Sequence, residues 1–197
     1  MTESQRHPWV ETFRHRVGWG LQAFALPEDP APAASILAAG RAADALGLDA
    51  FFIGDHPAYA PDAWMHLGVL AVQTTAIRLG SVVLCSGYRP PVLNARLAAD
   101  LDNLSGGRVI LGLGHGWNAA EFAQLGLPYP PVAARQEALE EAVQIIRGVW
   151  GPQPFTFHGK HHFTADELVT PPPVQRPGPP LILAGSGLVT GIQIVLI

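Results

Sequence analysis

The stretch "ILGLGHGWNAAEF", residues 110–122, decides the fold because it passes from a strand to a helix through a glycine-rich turn. After the apolar run, glycine takes every second position, at Gly112, Gly114 and Gly116, and Trp117 follows directly. The spacing excludes the dinucleotide-binding fingerprint G-x-G-x-x-G, because the third glycine comes one position early. A glycine-rich turn at a strand end still lets a planar ligand approach the backbone closely.

The same strand-to-helix pattern recurs along the chain. Continuous apolar runs predict strands at 17–24, 49–56, 77–87, 108–114 and 180–187. Helical spacing of apolar residues predicts helices at 31–47, 62–76, 90–107 and 131–151. Strands without alternation are buried on both faces. We therefore expect an α/β fold with a parallel sheet covered by helices, either an open doubly wound sheet or a (β/α)8 barrel.

Residues 152–180 interrupt this alternation. The segment "FTFHGKHHF" (155–163) has strand-like pieces around a glycine turn, and "TPPPVQRPGPP" (170–180) reads as an extended proline-rich connection. These residues supply too few apolar side chains for a core of their own. We therefore expect one domain over 1–197, with 152–180 as an insertion between the fourth helix and the fifth strand.

Composition limits the classes of partner. The 197 residues are 48% hydrophobic and 14% charged, so a sizeable core can form. The net charge of −4 gives no indication of a basic surface that would bind nucleic acid or an anionic membrane. The single cysteine, Cys85, excludes an internal disulfide and favours a reducing compartment. The polar N-terminus lacks a signal peptide's apolar region, and no apolar run reaches ~18–20 residues. We expect a cytoplasmic protein that acts on a small molecule as a homo-oligomer, most simply a dimer.

Polar and glycine residues gather after the predicted strands. Asp55 and His56 follow the second strand, and residues 85–89, 114–118 and 184–187 follow the third, fourth and fifth. Because a parallel sheet brings the carboxyl ends of its strands to one rim, where α/β folds bind ligands, we expect these residues to form one site.

Taken in order, several segments resemble the luciferase-like flavin and deazaflavin oxidoreductases, the bacterial luciferase superfamily. They are "AADALGLDAFFIGDH" (42–56), the run from "TTAIRLG" to "GLPYPP" (74–131), "RQEALEEAVQIIRGVW" (135–150), and "FTFHGKHHF" followed by "PPPVQRPGPPLILAGSG" (171–187). The "GWN…E" pattern after the fourth strand looks most like members that use coenzyme F420.

The resemblance implies a TIM (β/α)8 barrel whose isoalloxazine or deazaflavin ring lies at the C-terminal mouth. Asp55 and His56 are expected beside the ring as cofactor-binding residues. A non-proline cis peptide bond between Val82 and Val83 is expected to form a bulge that backs the ring. His56, as a proton donor or acceptor, and Trp117, as the pocket wall, are the candidate catalytic residues.

The remaining cofactor contacts implied by the resemblance are made by small residues. Gly114 and Gly116 are expected to line the ring or the substrate pocket. The backbone N–H groups of Gly185, Ser186 and Gly187 are expected to bind the phosphate tail. The expected cofactor is F420, with hydride transfer between C5 of the deazaflavin and an organic substrate. The alternative is FMN, whose reduced form reacts with O₂ and oxygenates the substrate.

The length of the chain departs from the family. A complete barrel takes roughly 250 residues, whereas this chain stops just after its fifth predicted strand. The family implies an amphipathic helix there and three further βα units, but the last ten residues, "LVTGIQIVLI", carry no charge. We therefore expect a C-terminally truncated, partial barrel of about five parallel strands, with the first and fifth strands as open edges.

Two other classes of function remain open. A metal-dependent barrel hydrolase would use Asp55 and His56 with the later histidines, His158, His161 and His162. Their spacing matches no firm zinc pattern, so a solvated hairpin is the favoured interpretation and no metal is expected. An inactive partial barrel, or a subunit that only pairs with another chain, is the third possibility. Cys85 is expected to pack rather than act as a nucleophile.

Overall fold

The computed structural model describes residues 7–26, 28–187 and 191–196, with the backbone alone described for 185–187 and 191–196. The strands are β1 (Gly20–Ala23), β2 (Ala50–Ile53), β3 (Arg78–Ser81), β4 (Leu84–Cys85), β5 (Val109–Gly114), β6 (Phe155–His158), β7 (Phe163–Glu167), β8 (Leu181–Gly187) and β9 (Gly191–Leu196). The helices are α1 (Pro8–Glu11), α2 (Pro32–Ala45), α3 (Ala63–Gln73), α4 (Pro91–Ser105), α5 (Ala119–Gln124) and α6 (Val132–Val149).

The main sheet confirms the predicted α/β architecture. Its strands follow the order β1-β2-β3-β5-β8-β9, and β4 pairs with the C-terminal end of β5. The pairings among β1, β2, β3, β4, β5 and β8 are parallel, and the third predicted strand is divided into β3 and β4. The Val82–Val83 peptide bond between these two pieces is cis, as the resemblance implied.

The two faces of the sheet bury different side chains, because successive strand residues point to opposite sides. On the helix-covered face, Phe51 of β2 and Leu111 of β5 join one large core. On the other face, Ile110 belongs to a smaller buried cluster, against which Phe52 and Trp9 of α1 pack. The inner face is therefore apolar, with α1 lying against it.

Local signals explain where the helices stop and start. α4 begins at Pro91, a position where the helix needs no backbone N–H donor. It ends at Ser105, and the following residue, Gly106, caps it in the left-handed conformation with φ +68°. α3 begins after Asp62, whose side chain accepts a hydrogen bond from the Met65 N–H. These caps fix the loops that run from the strand ends into the helices.

Residues 152–180 begin with the predicted hairpin, in which β6 and β7 are antiparallel. The Glu141 carboxylate of α6 accepts hydrogen bonds from the N–H groups of Lys160, His161 and His162 in its turn. The proline-rich connection that follows is fixed by Asp102, which accepts two hydrogen bonds from Gln175. The one-domain organisation with this insertion stays a prediction.

The segment after the fifth predicted strand corrects an expectation. The family would have an amphipathic helix there, whereas residues 191–196 of this chain form β9, antiparallel to β8. Three β-branched residues, Ile192, Ile194 and Val195, favour an extended backbone over a helix. The expected open edge at the fifth strand is therefore wrong, since β9 covers it and the described sheet ends at β1 and β9. No helix in the described part of the chain is long and apolar enough to cross a membrane.

Candidate active site

The carboxyl ends of the parallel strands bring the predicted site residues to one rim. Asp55, after β2, accepts a hydrogen bond from the Cys85 N–H at the end of β4 (3.2 Å). The ring of Trp117, after β5, lies edge-on to the ring of His56, with 6.2 Å between centroids. A side chain on Gly114 would collide with Val83. Residues 55–56, 82–83 and 114–117 are thus neighbours, as the strand-end rule predicted for 55–56 and 114–117 and as the resemblance implied for 82–83.

Asp55 is fully engaged with protein groups. Its buried carboxylate pairs bidentately with Arg89, at 2.7 and 3.1 Å, and also accepts the Cys85 N–H. Burial alone would lower the pKa of Arg89, but the hydrogen bond and the negative charge of Asp55 outweigh burial and raise it. Asp55 therefore anchors the loop after β4 to the end of β2. Its contact with a cofactor stays a prediction, and its oxygens already have donors.

His56 is held by a buried glutamate that sequence reasoning assigned no role. Its Nδ1 lies 3.0 Å from Oε2 of Glu121, and the hydroxyl of Tyr88 donates to the same oxygen (3.2 Å). The Glu121 side chain is 2% exposed, against 24% for His56. Burial, followed by nearby negative groups, raises the pKa of Tyr88 above its ordinary value, so this hydroxyl stays a donor.

Glu121 ends the "GWN…E" pattern that looks like F420-using members, but the pattern assigned the glutamate no contact, and its local spacing suggested a cap. Asn118 and Glu121 stand three positions apart before an apolar pattern, which is the spacing of a capping box. Asn118 does cap α5 by accepting from the Ala120 N–H. The Glu121 carboxylate instead contacts His56 and Tyr88, which only the tertiary fold brings near.

Gln22 is a second residue that sequence reasoning missed. Its amide Nε2 donates to the carbonyl oxygen of Val82, one half of the cis peptide (2.8 Å). A Cβ placed on Gly54 would lie 3.9 Å from both Gln22 Nε2 and His56 Nε2, so these two nitrogens border the same space. A polar residue inside a short apolar strand was the available signal.

The alternating glycines have a steric cause within the chain. A Cβ on Gly112 would lie 1.9 Å from the carbonyl oxygen of Ser81, and one on Gly114 would lie 2.7 Å from Val83 Cγ2. Gly116 has φ +77°, and a Cβ there would lie 2.6 Å from Cys85 Sγ. The glycines therefore admit the neighbouring β3–β4 segment and its bulge. Contact of Gly114 and Gly116 with a cofactor stays a prediction.

The rim is consistent with the chemistry of a planar, partly polar ring. Val82 and Val83 are half-buried and pack against the inner apolar cluster. Trp117 is 71% exposed beside His56, which leaves its indole available to a ligand. Oε1 of Glu121 is buried without a hydrogen-bond partner among the described residues. An apolar wall bordered by an imidazole and an amide fits a flavin or deazaflavin ring.

The other end of the predicted cofactor site is described by its backbone. Gly185, Ser186 and Gly187 pair with β9, opposite residues 193, 192 and 191. An antiparallel ladder engages the N–H groups of alternate residues, so this pairing competes with the predicted phosphate contacts. Phosphate binding by these three residues stays a prediction.

Two further candidates are packing or surface groups. Burial raises the pKa of the Cys85 thiol to about 11, so it is protonated and unsuited to nucleophilic attack at neutral pH. His161 lies 2.8 Å from Glu137 on the hairpin. No cluster of three or more metal-ligating side chains occurs in 7–26, 28–187 or 191–196.

Comparison with known proteins gives consistent matches. The chain is 35% identical, over 156 residues, to the F420-dependent glucose-6-phosphate dehydrogenase of Kineococcus radiotolerans, covering 75% of this chain and 46% of that protein. It is 33% identical, over 117 residues, to the FMNH(2)-dependent dimethylsulfone monooxygenase of Pseudomonas putida, covering 59% and 32%. The chain thus spans about half, or less, of the length of these relatives.

Solved structures agree with these sequence matches. The coenzyme F420 dependent tetrahydromethanopterin reductase from Methanopyrus kandleri superimposes with a TM-score of 0.75 at 27% identity. The match covers 87% of this chain and 51% of that one. Residues 13–195 match the family model described as luciferase-like monooxygenase. The chain belongs to the luciferase-like monooxygenase family.

Proposed function

We propose that this protein is an oxidoreductase that binds coenzyme F420 at the rim and catalyses hydride transfer to or from a small organic substrate. The observation that carries the proposal is the convergence of His56, Trp117 and the Val82–Val83 bulge at one rim. Relatives whose names specify F420, such as the Kineococcus dehydrogenase, support this choice of cofactor.

Each residue at the rim has a distinct role in this proposal. Val82 and Val83 form the apolar wall behind the ring, and Gln22 fixes that wall through the Val82 carbonyl. Trp117 covers the exposed side next to His56. The bound cofactor supplies the hydride chemistry, while the protein supplies orientation and electrostatics. His56 takes up or delivers the proton that accompanies oxidation or reduction of the substrate.

An FMN-dependent monooxygenase is the second candidate. The dimethylsulfone monooxygenase from Pseudomonas putida supports it, because its name specifies reduced FMN. The same wall and imidazole suit an isoalloxazine ring. The two functions differ in their need for O₂, which provides an experimental distinction.

Titration of the purified chain with F420 and with FMN, followed by fluorescence, tests the proposal. We expect saturable binding of F420, lost or strongly weakened in His56→Ala, and weaker binding of FMN. His158→Ala, on the exposed face of the β6–β7 hairpin, is the matched control and should bind like the parent chain. Circular dichroism of each variant checks the fold. A folded chain that binds neither cofactor would overturn the proposal, and preferential binding of FMN would favour the second candidate.

A further inference from the structure

We propose that Glu121 is a positioning residue that keeps the proton of neutral His56 on Nδ1, so that Nε2 is the atom that exchanges a proton at the rim. The inference rests on the proposed function for its catalytic meaning. Its structural content concerns two side chains of this protein and is measurable without a cofactor.

Oε2 of the Glu121 carboxylate has two close polar contacts. Nδ1 of His56 lies 3.0 Å away, and the hydroxyl of Tyr88 donates to it at 3.2 Å. Oε1 is buried without a partner within the described residues. An ionised carboxylate accepts hydrogen bonds and cannot donate them, so the ring nitrogen that faces it must carry the proton. A histidine tautomer is commonly fixed in this way by a carboxylate on one ring nitrogen.

The hydroxyl of Tyr59 competes for the same ring nitrogen, since it lies 2.8 Å from Nδ1 of His56. Were Tyr59 to donate, Nδ1 would need a lone pair, and that lone pair would also face the carboxylate. A hydroxyl can equally accept, whereas a carboxylate has no such choice. Tyr59 is also 60% exposed, so water can serve its O–H group. Both contacts are satisfied together when the proton is on Nδ1.

The opposite ring nitrogen of His56, Nε2, lies on the side of Gly54 and Gln22. Nε2 of His56 and Nε2 of Gln22 are equally distant, 3.9 Å, from the position of a Cβ on Gly54. Gln22 in turn binds the Val82 carbonyl. Nε2 of His56 therefore borders the same space as the Gln22 amide, which contacts the Val82 half of the bulge. In the proposed function, the ring and substrate bind beside this space.

The tautomer of His56 tests the inference directly. In cofactor-free protein with ¹⁵N-labelled histidine, long-range NMR correlations identify which nitrogen carries the proton in the neutral ring. We expect Nδ1–H in the parent chain. In Glu121→Gln, the ratio of the two tautomers should shift toward Nε2–H by about tenfold, the ratio that one charge-assisted hydrogen bond supports.

Two controls separate positioning from a general structural effect. Tyr59→Phe removes the competing hydroxyl and should leave Nδ1–H in place. Glu137→Gln removes the carboxylate next to His161 on the hairpin and should leave the His56 signals unchanged. An Nε2–H tautomer in the parent chain would overturn the inference even if Glu121→Gln failed to fold. An unchanged tautomer ratio in a folded Glu121→Gln variant would overturn it as well.

The outcome is separable from that of the proposed function. Failure to bind F420 or FMN, with His56 as Nδ1–H and sensitive to Glu121, would remove the proposed function and leave the positioning intact. Normal cofactor binding, with a His56 tautomer that does not respond to Glu121→Gln, would leave the proposed function intact and remove the positioning role of Glu121.

Discussion

Two regions of the molecule contain a histidine in contact with a glutamate, and the two contacts have nearly the same length. At the rim, His56 lies 3.0 Å from Glu121, and on the hairpin, His161 lies 2.8 Å from Glu137. Their surroundings differ sharply, because the Glu121 side chain is 2% exposed and that of Glu137 is 48% exposed. Distance alone therefore does not distinguish a candidate catalytic contact from a surface contact.

The difference lies in what replaces water around each carboxylate. Glu121 must obtain its hydrogen bonds from His56 and Tyr88, since burial removes the solvent alternative. Glu137 also contacts Lys160, and hydrogen bonds from Lys160 and His161 lower its pKa, but water can replace either partner. Buried carboxylates at the rim should therefore be sensitive to the loss of one partner, and an exposed one such as Glu137 of α6, which faces the hairpin, should tolerate it.

The largest effect is expected at Asp55, a carboxylate of the rim whose side chain is 1% exposed. Asp55→Asn should lower the free energy of unfolding by about 3 kcal/mol, because it leaves the partly buried Arg89 without its bidentate partner. Urea denaturation measures the change. Asp62→Asn is the matched control, since Asp62 contacts the same guanidinium at 3.4 Å from a more exposed position and asparagine also caps helices. Equal effects of the two substitutions would contradict the assignment of Asp55 as the anchor.

Tyr88→Phe should have the next largest effect. It removes one of the two donors to Glu121 and leaves a buried carboxylate with His56 alone, which should cost about 1–3 kcal/mol of stability. Tyr59→Phe removes a hydroxyl from the same histidine but on the exposed side, so its unfolding midpoint should stay close to that of the parent chain. A larger loss for Tyr59→Phe would mean that burial of Glu121 is not what sets the energetics of the rim.

The sequence was sufficient to predict features with a local or periodic cause. Continuous apolar runs predicted the parallel strands, and the strand-end rule placed His56 and Trp117 at one rim before any coordinates. The cis bond at Val82–Val83 followed from the family resemblance, not from the residues themselves. The close approach of β3–β4 to β5 accounts for the glycines at 112 and 114, and no periodicity in one strand could indicate it.

The missed features depend on contacts between distant parts of the chain. Glu121 stands 65 positions from His56, and its local spacing matched a capping box. Gln22 reaches Val82 over 60 positions. In the apolar tail after β8, the β-branched residues at 192, 194 and 195 favour an extended backbone but do not specify a partner strand. The pairing of the tail with β8 depends on an available sheet edge, which is a tertiary property.

The pH dependence of the hairpin sharpens the comparison further. Burial alone would raise the pKa of Glu141. Hydrogen bonds from the three backbone N–H groups at positions 160–162 outweigh burial and together lower this pKa below its ordinary value of 4.5. A carboxylate with a lowered pKa stabilises the fold above its unfolded value and loses that contribution as the pH falls through its folded value. The amide signals of residues 160–162 should therefore move together below pH 4.5. Glu141→Gln should abolish this acid transition while leaving the tautomer of His56 unchanged.

The smallest effect is expected for Glu137→Gln, which removes the exposed carboxylate contacted by Lys160 and His161. Surface ion pairs gain little because water and salt screen them and because long side chains lose entropy when fixed. The urea midpoint should lie close to that of the parent chain at low salt, and the small difference between the two midpoints should vanish at high salt. A Glu137→Gln variant as unstable as Tyr88→Phe, or one insensitive to salt, would show that exposure does not separate the two histidine–glutamate contacts. The contrast between rim and hairpin would then require a cause other than solvent.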